Sequence, residues 1–200
     1  MIKVIKQCLT ESDINIVNNY LLSAKFNTKE DHIPLHDKLF ENNPMDFGLT
    51  TYGDMGKEIS FIFNKICNEI SKATSEISQE EYGFPILTKS YIMKFNNSKQ
   101  INLGFDGGRP EKVFRSLVFW NKDIKTITVS FPNKQITEQV SLGDVIVFPE
   151  TQEFSRTILN DTEFPVYVSD FWNAPKNQSP YPGLHYEDVV WGNPMYDKID

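Results

Sequence analysis

The feature that most constrains this chain is a string of short β-forming runs that begins after Gly83-Phe84-Pro85. They cover residues 91–95, 115–120, 126–131, 135–140, 144–148, 155–159 and 166–172, and are rich in Val, Ile, Phe and Thr. Turn-forming stretches separate them, among them Asn96-Asn97, Gly107-Gly108, Pro132-Asn133 and Leu142-Gly143-Asp144. β-Branched and aromatic side chains suit a pleated, half-buried surface. Several short strands at this spacing predict an antiparallel sandwich or barrel.

Ahead of the strands the hydrophobic period is helical. Thr10-Glu11-Ser12-Asp13 opens like a helix, with Thr10 as N-cap and acidic residues in the first turn, where the helix dipole favours them. Ile14, Val17 and Leu21 continue at helical spacing, which predicts a helix ending near Phe26. Residues 27–53 are polar and punctuated by Pro34, Pro44, Gly48 and Gly53, the pattern of an irregular surface segment. Asp54 reads as a second N-cap. Met55, Ile59, Ile62, Ile66, Ile70, Ala73 and Ile77 then mark one face of a long amphipathic helix. Such a face needs a flat apolar partner, and the strands supply one. The expectation is therefore α+β: residues 1–82 a helical buttress, 83–173 a jelly-roll core with the helices packed on one sheet, and 174–200 an extended tail. A chain of 200 residues is the size of one domain.

Charge and composition remove several function classes. With 27 acidic against 20 basic residues the net charge is −7 and the pI about 5.0, and the bases are spread among the acids. Nucleic-acid binders present a clustered basic face, so no nucleic acid is expected. No apolar run approaches the length of a membrane span, and mean hydropathy is −0.39, so no membrane is expected either. Met1 to Thr10 lacks the apolar segment and small-residue cleavage site of a signal peptide. Cys8 and Cys67 lie far apart with no CxxC spacing, which fits free thiols in a reducing, cytoplasmic setting.

The last 27 residues break the pattern. Pro175, Pro180, Pro182 and Pro194 forbid a long helix, and Tyr181, Tyr186, Trp191 and Tyr196 sit among them. An aromatic tail of this kind either wraps back over its own barrel or docks on a protein partner, and these four aromatics are the candidate partner-binding residues.

The stretch from Tyr91 to Trp172 resembles the catalytic core of the prolyl-4-hydroxylase-like 2-oxoglutarate/Fe(II) oxygenases, particularly the small versions common in phage genomes. "SYIMKFNNSKQINLGFDGGRPEKVFRSLVFWN" is similar to the family's opening core: a tyrosine-bearing strand, a turn to an HxD motif, then an Arg-led strand ending in Leu-Asn. "VSLGDVIVFPE" resembles its Gly-x-x-hydrophobic-Phe-Pro hairpin, and "FSRTILNDTEFPVYVSDFW" takes the place of its closing segment. The resemblance implies a double-stranded β-helix (jelly-roll or cupin-like) core and, in its catalytic members, Fe(II) held by two imidazoles and one carboxylate with positions left open for the oxo-acid and dioxygen. A cation further along clamps the co-substrate's far carboxylate.

Carried over residue by residue, the resemblance keeps the carboxylate as Asp106 but puts Gly104 at the first histidine position and Ser155 at the second. The clamp falls near Pro165 or Val166, neither of them charged. Asp106 beside Gly107-Gly108 also reads as an ordinary turn residue. The only histidines are His32, His36 and His185; Pro34 spoils the helical spacing of the first two, and the third lies in the tail. Tyr91, Arg115 and Arg156 are the candidate ligand-binding residues, although Arg156 also fits a barrel-mouth ion pair. There is no GxSxG, GxGxxG, P-loop or HExxH motif.

Three functions are compatible with these residues. The first is a non-catalytic oxygenase-fold protein reused as a binding or structural module, such as a virion or assembly component, with no cofactor and residing in the host cytoplasm or virion. The second is an active dioxygenase with atypical ligands, binding Fe(II) and 2-oxoglutarate. The third is a metal-free jelly roll that binds a sugar or small ligand. The first accounts best for an intact scaffold whose chemical positions are vacated.

Overall fold

The computed structural model describes residues 2–26, 47–50, 56–82, 86–87, 92–96, 100–104, 114–121, 125–131, 134–149, 156–160 and 165–173. In chain order the elements are β1 (Lys3–Ile5), α1 (Glu11–Ser23), β2 (Phe47–Thr50), α2 (Gly56–Ser78), β3 (Ile86–Leu87), β4 (Ile92–Phe95), β5 (Gln100–Gly104), β6 (Phe114–Phe119), β7 (Lys125–Phe131), β8 (Lys134–Val140), β9 (Val145–Pro149), β10 (Arg156–Asn160) and β11 (Val166–Asn173). A large antiparallel sheet runs β1-β9-β6-β11-β4-β2, with β3 also paired to β11, and a smaller one runs β5-β10-β7-β8. Helices on one side of a two-sheet jelly roll make the α+β arrangement that the sequence predicts.

The alternation of side chains along each strand divides the core in two. One set of positions on the large sheet turns inward to the smaller sheet: Met93, Phe95, Leu117, Phe119, Ile146, Phe148, Val166 and Val168 pack there with Ile101, Val140 and Ile158, all fully buried. The other set, including Ile92, Val118, Val145, Val147 and Phe171, packs under the helices. Ile59, Ile62, Phe63, Ile66, Cys67, Ile70 and Ala73 form the buried stripe of α2 against it. Phe63 stacks on Trp120 at 4.7 Å, and the Trp120 indole donates to Ser169 Oγ at 2.8 Å. The amphipathic helix thus finds the flat apolar partner that its pattern requires; Asp54 and Met55 lie outside the described residues.

Helix α1 starts where the sequence places it. Thr10 Oγ1 accepts from the Asp13 backbone N–H while the Asp13 carboxylate accepts from Thr10 N–H, a reciprocal capping box. It ends at Ser23, three residues before Phe26, because Ala24 is extended and its N–H closes on the Tyr20 carbonyl. Phe26 is drawn away to pack against Tyr167 at 5.8 Å.

Four strands go beyond the seven expected. β2 falls inside the segment expected to be irregular, held by four consecutive pairs with β4. β5 forms the far side of the smaller sheet, and β3 is a two-residue addition to β11. β1 adds an edge to β9, and the chain just after it is tied down by Asp144, which accepts from Gln7 N–H at 3.1 Å, Ser141 N–H at 3.0 Å and Lys6 Nζ at 3.2 Å. Gly143, at φ +86°, makes the turn there, and a Cβ on it would sit 2.8 Å from Leu9 Cγ.

Candidate functional site

The mouth of the barrel is where β5 ends and β10 begins. The ladder between them runs Leu159↔Gln100, Ile158↔Ile101 and Thr157↔Asn102, then shifts so that Arg156 faces Gly104. Gly104, at the first histidine position implied by the resemblance, is thereby paired with Arg156 at the start of β10. Gly104 has no side-chain donor atom to offer, and among the described residues no three His, Cys, Asp or Glu side chains converge.

Ser155, Asp106 and Tyr91 lie outside the described residues, as do His32, His36 and His185 and the tail aromatics Tyr181, Tyr186, Trp191 and Tyr196. Arg156 is placed by its backbone alone. Val166, at the clamp position, is fully buried in the interior cluster, and Pro165 next to it accepts from Asn121 Nδ2 at 3.0 Å through its carbonyl. Among the described residues no cation is supplied there.

The charge inside the barrel comes from elsewhere. Arg115 shares the inward face of β6 with Leu117 and Phe119, and it is completely buried. Asp170, on the same inward set of β11 as Val166 and Val168, lies 3.7 Å from its Nη1 with a side-chain exposure of 1%. Strand register explains the meeting: Trp172 stands opposite Arg115 and Asp170 opposite Leu117, so the pair is a diagonal neighbour across β6 and β11. Among the described side chains of the large sheet, Arg115 is the only cation on this face. Sequence reasoning singled out Arg115 but missed Asp170. The signal was available, since an acid at the third inward position of an otherwise apolar strand needs a countercharge.

Two further polar side chains are buried at this end of β6 and β11, on the helix side. Ser116 Oγ and both polar atoms of Asn173 make no hydrogen bond among the described residues. The thiols stand apart from the site. Cys8 donates to the Gly143 carbonyl and is pushed up to about 12, chiefly by burial; burial alone pushes Cys67 higher still. Neither is poised as a nucleophile.

No protein-family model matches the sequence, and no curated protein does either. Solved structures match it over most of its length. A prolyl hydroxylase in complex with a hypoxia-inducible-factor oxygen-degradation-domain peptide fragment, from Trichoplax adhaerens, superposes with a TM-score of 0.58 at 12% identity, covering 87% of this chain and 83% of that one. An oxidoreductase of the 2OG-Fe(II) oxygenase family from Burkholderia pseudomallei gives 0.57 at 8% identity, covering 90% and 86%. HygX from Streptomyces hygroscopicus, with nickel and 2-oxoglutarate bound, gives 0.55 at 10% identity over 90% and 85%. The chain has the double-stranded β-helix fold of the 2-oxoglutarate/Fe(II) oxygenases.

Proposed function

We propose that this chain is a non-catalytic protein of the oxygenase fold, reused as a binding or structural module that holds neither Fe(II) nor 2-oxoglutarate and engages a protein partner through segment 174–200. The observation that carries the reading is the inward face of the large sheet. Its described positions are buried apolar side chains plus one cation, and that cation has a carboxylate, Asp170, beside it. A dicarboxylate entering such an interior would need a cation to clamp it, and would meet the Asp170 charge at the one Arg available. Gly104 at the first ligand position points the same way. Fold and chemistry separate readily, because a packed scaffold survives the loss of a few site residues.

The test is anaerobic titration calorimetry of the full chain with Fe(II) and 2-oxoglutarate together, alongside a thermal melt. The expected result is no saturable heat and no rise in melting temperature, since a ligand at 100 times its dissociation constant would add about 2.7 kcal/mol of stability. Stoichiometric binding that disappears in Asp106→Ala would overturn the reading and assign the site to an active dioxygenase.

A further inference from the structure

The smaller sheet ends in β8, a seven-residue strand that, among the described residues, pairs only with β7. Its ladder is uninterrupted from Phe131↔Lys134 to Lys125↔Val140, with no bulge and no proline. Long regular edges of this kind are templates for another strand, and proteins normally blunt them. Among the described residues the guard lies at one end: Lys6 Nζ donates to the Gln139 carbonyl and stands 4.0 Å from the Glu138 carboxylate, an exposed pair that leaves Glu138 open to a second cation. The bond to Gln139 also shows which way the backbone faces. Gln139 turns its carbonyl away from β7, and because pairing alternates along an antiparallel ladder, Thr137 and Gln135 turn theirs away as well. The Thr128 and Thr137 hydroxyls, 2.9 Å apart, fit the closer spacing of such a pair. Gln135, Thr137 and Gln139 are exposed and uncharged, in a chain of net charge −7.

We infer that β8 pairs antiparallel with β8 of a second copy, joining two four-stranded sheets into one of eight strands. The charges on the strand select the register. Centring the two-fold on Ile136 sets Lys134 of each copy opposite Glu138 of the other, giving two opposite-charge cross-strand pairs. The same register pairs Gln135 with Thr137 in both directions, using the outward N–H and C=O groups of both residues. It also leaves Gln139 outside the ladder, where Lys6 already holds it. A second copy is thus the partner whose charge pattern this edge complements.

The experiment is sedimentation velocity on the full chain from roughly 10 μM to 1 mM, a range chosen because an interface of a few strand pairs falls in the weak, small-area class. A monomer–dimer equilibrium is expected. Lys134→Glu and Glu138→Lys, each placing like charges opposite one another twice, should each weaken it about tenfold or more, and the double exchange should bring it back to within about threefold of the parent. Thr137→Pro removes only an outward N–H, so it should abolish dimerisation while leaving the melting curve cooperative. A chain that stays monomeric throughout the range overturns the inference. So does a dimer that ignores all four variants, or one that the double exchange fails to restore.

Discussion

The buried Arg115–Asp170 pair predicts that a conservative change at Asp170 will be among the most damaging in the molecule. Asp170→Asn keeps the shape and removes the charge 3.7 Å from a guanidinium with no solvent exposure. At an effective dielectric near 20, two unit charges at that distance attract by about 4 kcal/mol, which sets the scale of the loss. Breaking a buried pair by removing one partner costs about 3–5 kcal/mol in comparable settings. For a domain of this size that lowers the melting temperature by about 6–20 °C, taking roughly 2–4 °C per kcal/mol. Replacing both charges, as in Arg115→Met with Asp170→Leu, should recover most of the loss or exceed the parent, because the desolvation of both ions disappears together. Urea denaturation of the parent, both single variants and the double variant closes the cycle, with an expected coupling of at least about 2 kcal/mol. A cost below about 1 kcal/mol for Asp170→Asn would refute the reasoning. So would a double variant as unstable as the sum of the singles, since either result means that the two side chains do not compensate each other.

Two further outcomes follow from polar contacts at the helix and strand ends. Burial alone would raise the Asp13 carboxyl, but the hydrogen bonds from Lys65 Nζ, at 2.7 and 2.9 Å, and from Thr10 more than offset it and hold the group below the usual carboxylate value. A depressed carboxylate contributes stability that is present above its unfolded value, near 3.9, and is lost as pH falls through the folded value. Denaturation midpoints should therefore drop more steeply below about pH 4 in the parent than in Asp13→Asn, and parallel curves would exclude this contribution. Asp144→Ala removes the acceptor for Ser141 N–H, Gln7 N–H and Lys6 Nζ, and should cost about 1–3 kcal/mol. Hydrogen exchange should show the β1 amides, Lys3–Ile5, losing protection before those of β9, and unchanged β1 protection would show that strand pairing alone holds the N-terminal segment.

Most of the scaffold was legible because many residues vote for each strand. Residues 115–120 and 166–172 carry enough β-branched and aromatic side chains that no other element fits them, and the observed Phe114–Phe119 and Val166–Asn173 differ only at the ends. The strands that escaped are those whose existence depends on a neighbour. β1 is three residues between lysines, too short for any period to show, and it exists because β9 offers it a ladder. β2 contains Gly48 and lies in a stretch punctuated by proline, so only its register with β4 defines it. β5 reads as a polar connection until β10 is placed beside it. Pairing partners are tertiary facts, and a single strand does not encode them.

The site was legible in a different way, through individual positions. Gly104 and Ser155 were assigned to the two histidine positions by resemblance; β5 carries Gly104 opposite Arg156, and Ser155 lies outside the described residues. What the residues did not announce was the charge balance inside the barrel. Val166 stands where the resemblance puts the clamp; among the described side chains Arg115 is the cation that the large sheet turns inward, and Asp170 reaches it as a diagonal neighbour across β6 and β11. Asp170 fixes a carboxylate beside Arg115 from the neighbouring strand. On the proposed function, ligand binding would therefore need more than two histidines. Imidazoles introduced at positions 104 and 155 would still leave Asp170 beside Arg115, where a dicarboxylate would have to compete with it, and removing Asp170 alone costs the buried guanidinium this ion pair. On the proposed function, the pair that stabilises the fold is the same one that a dicarboxylate entering the interior would meet.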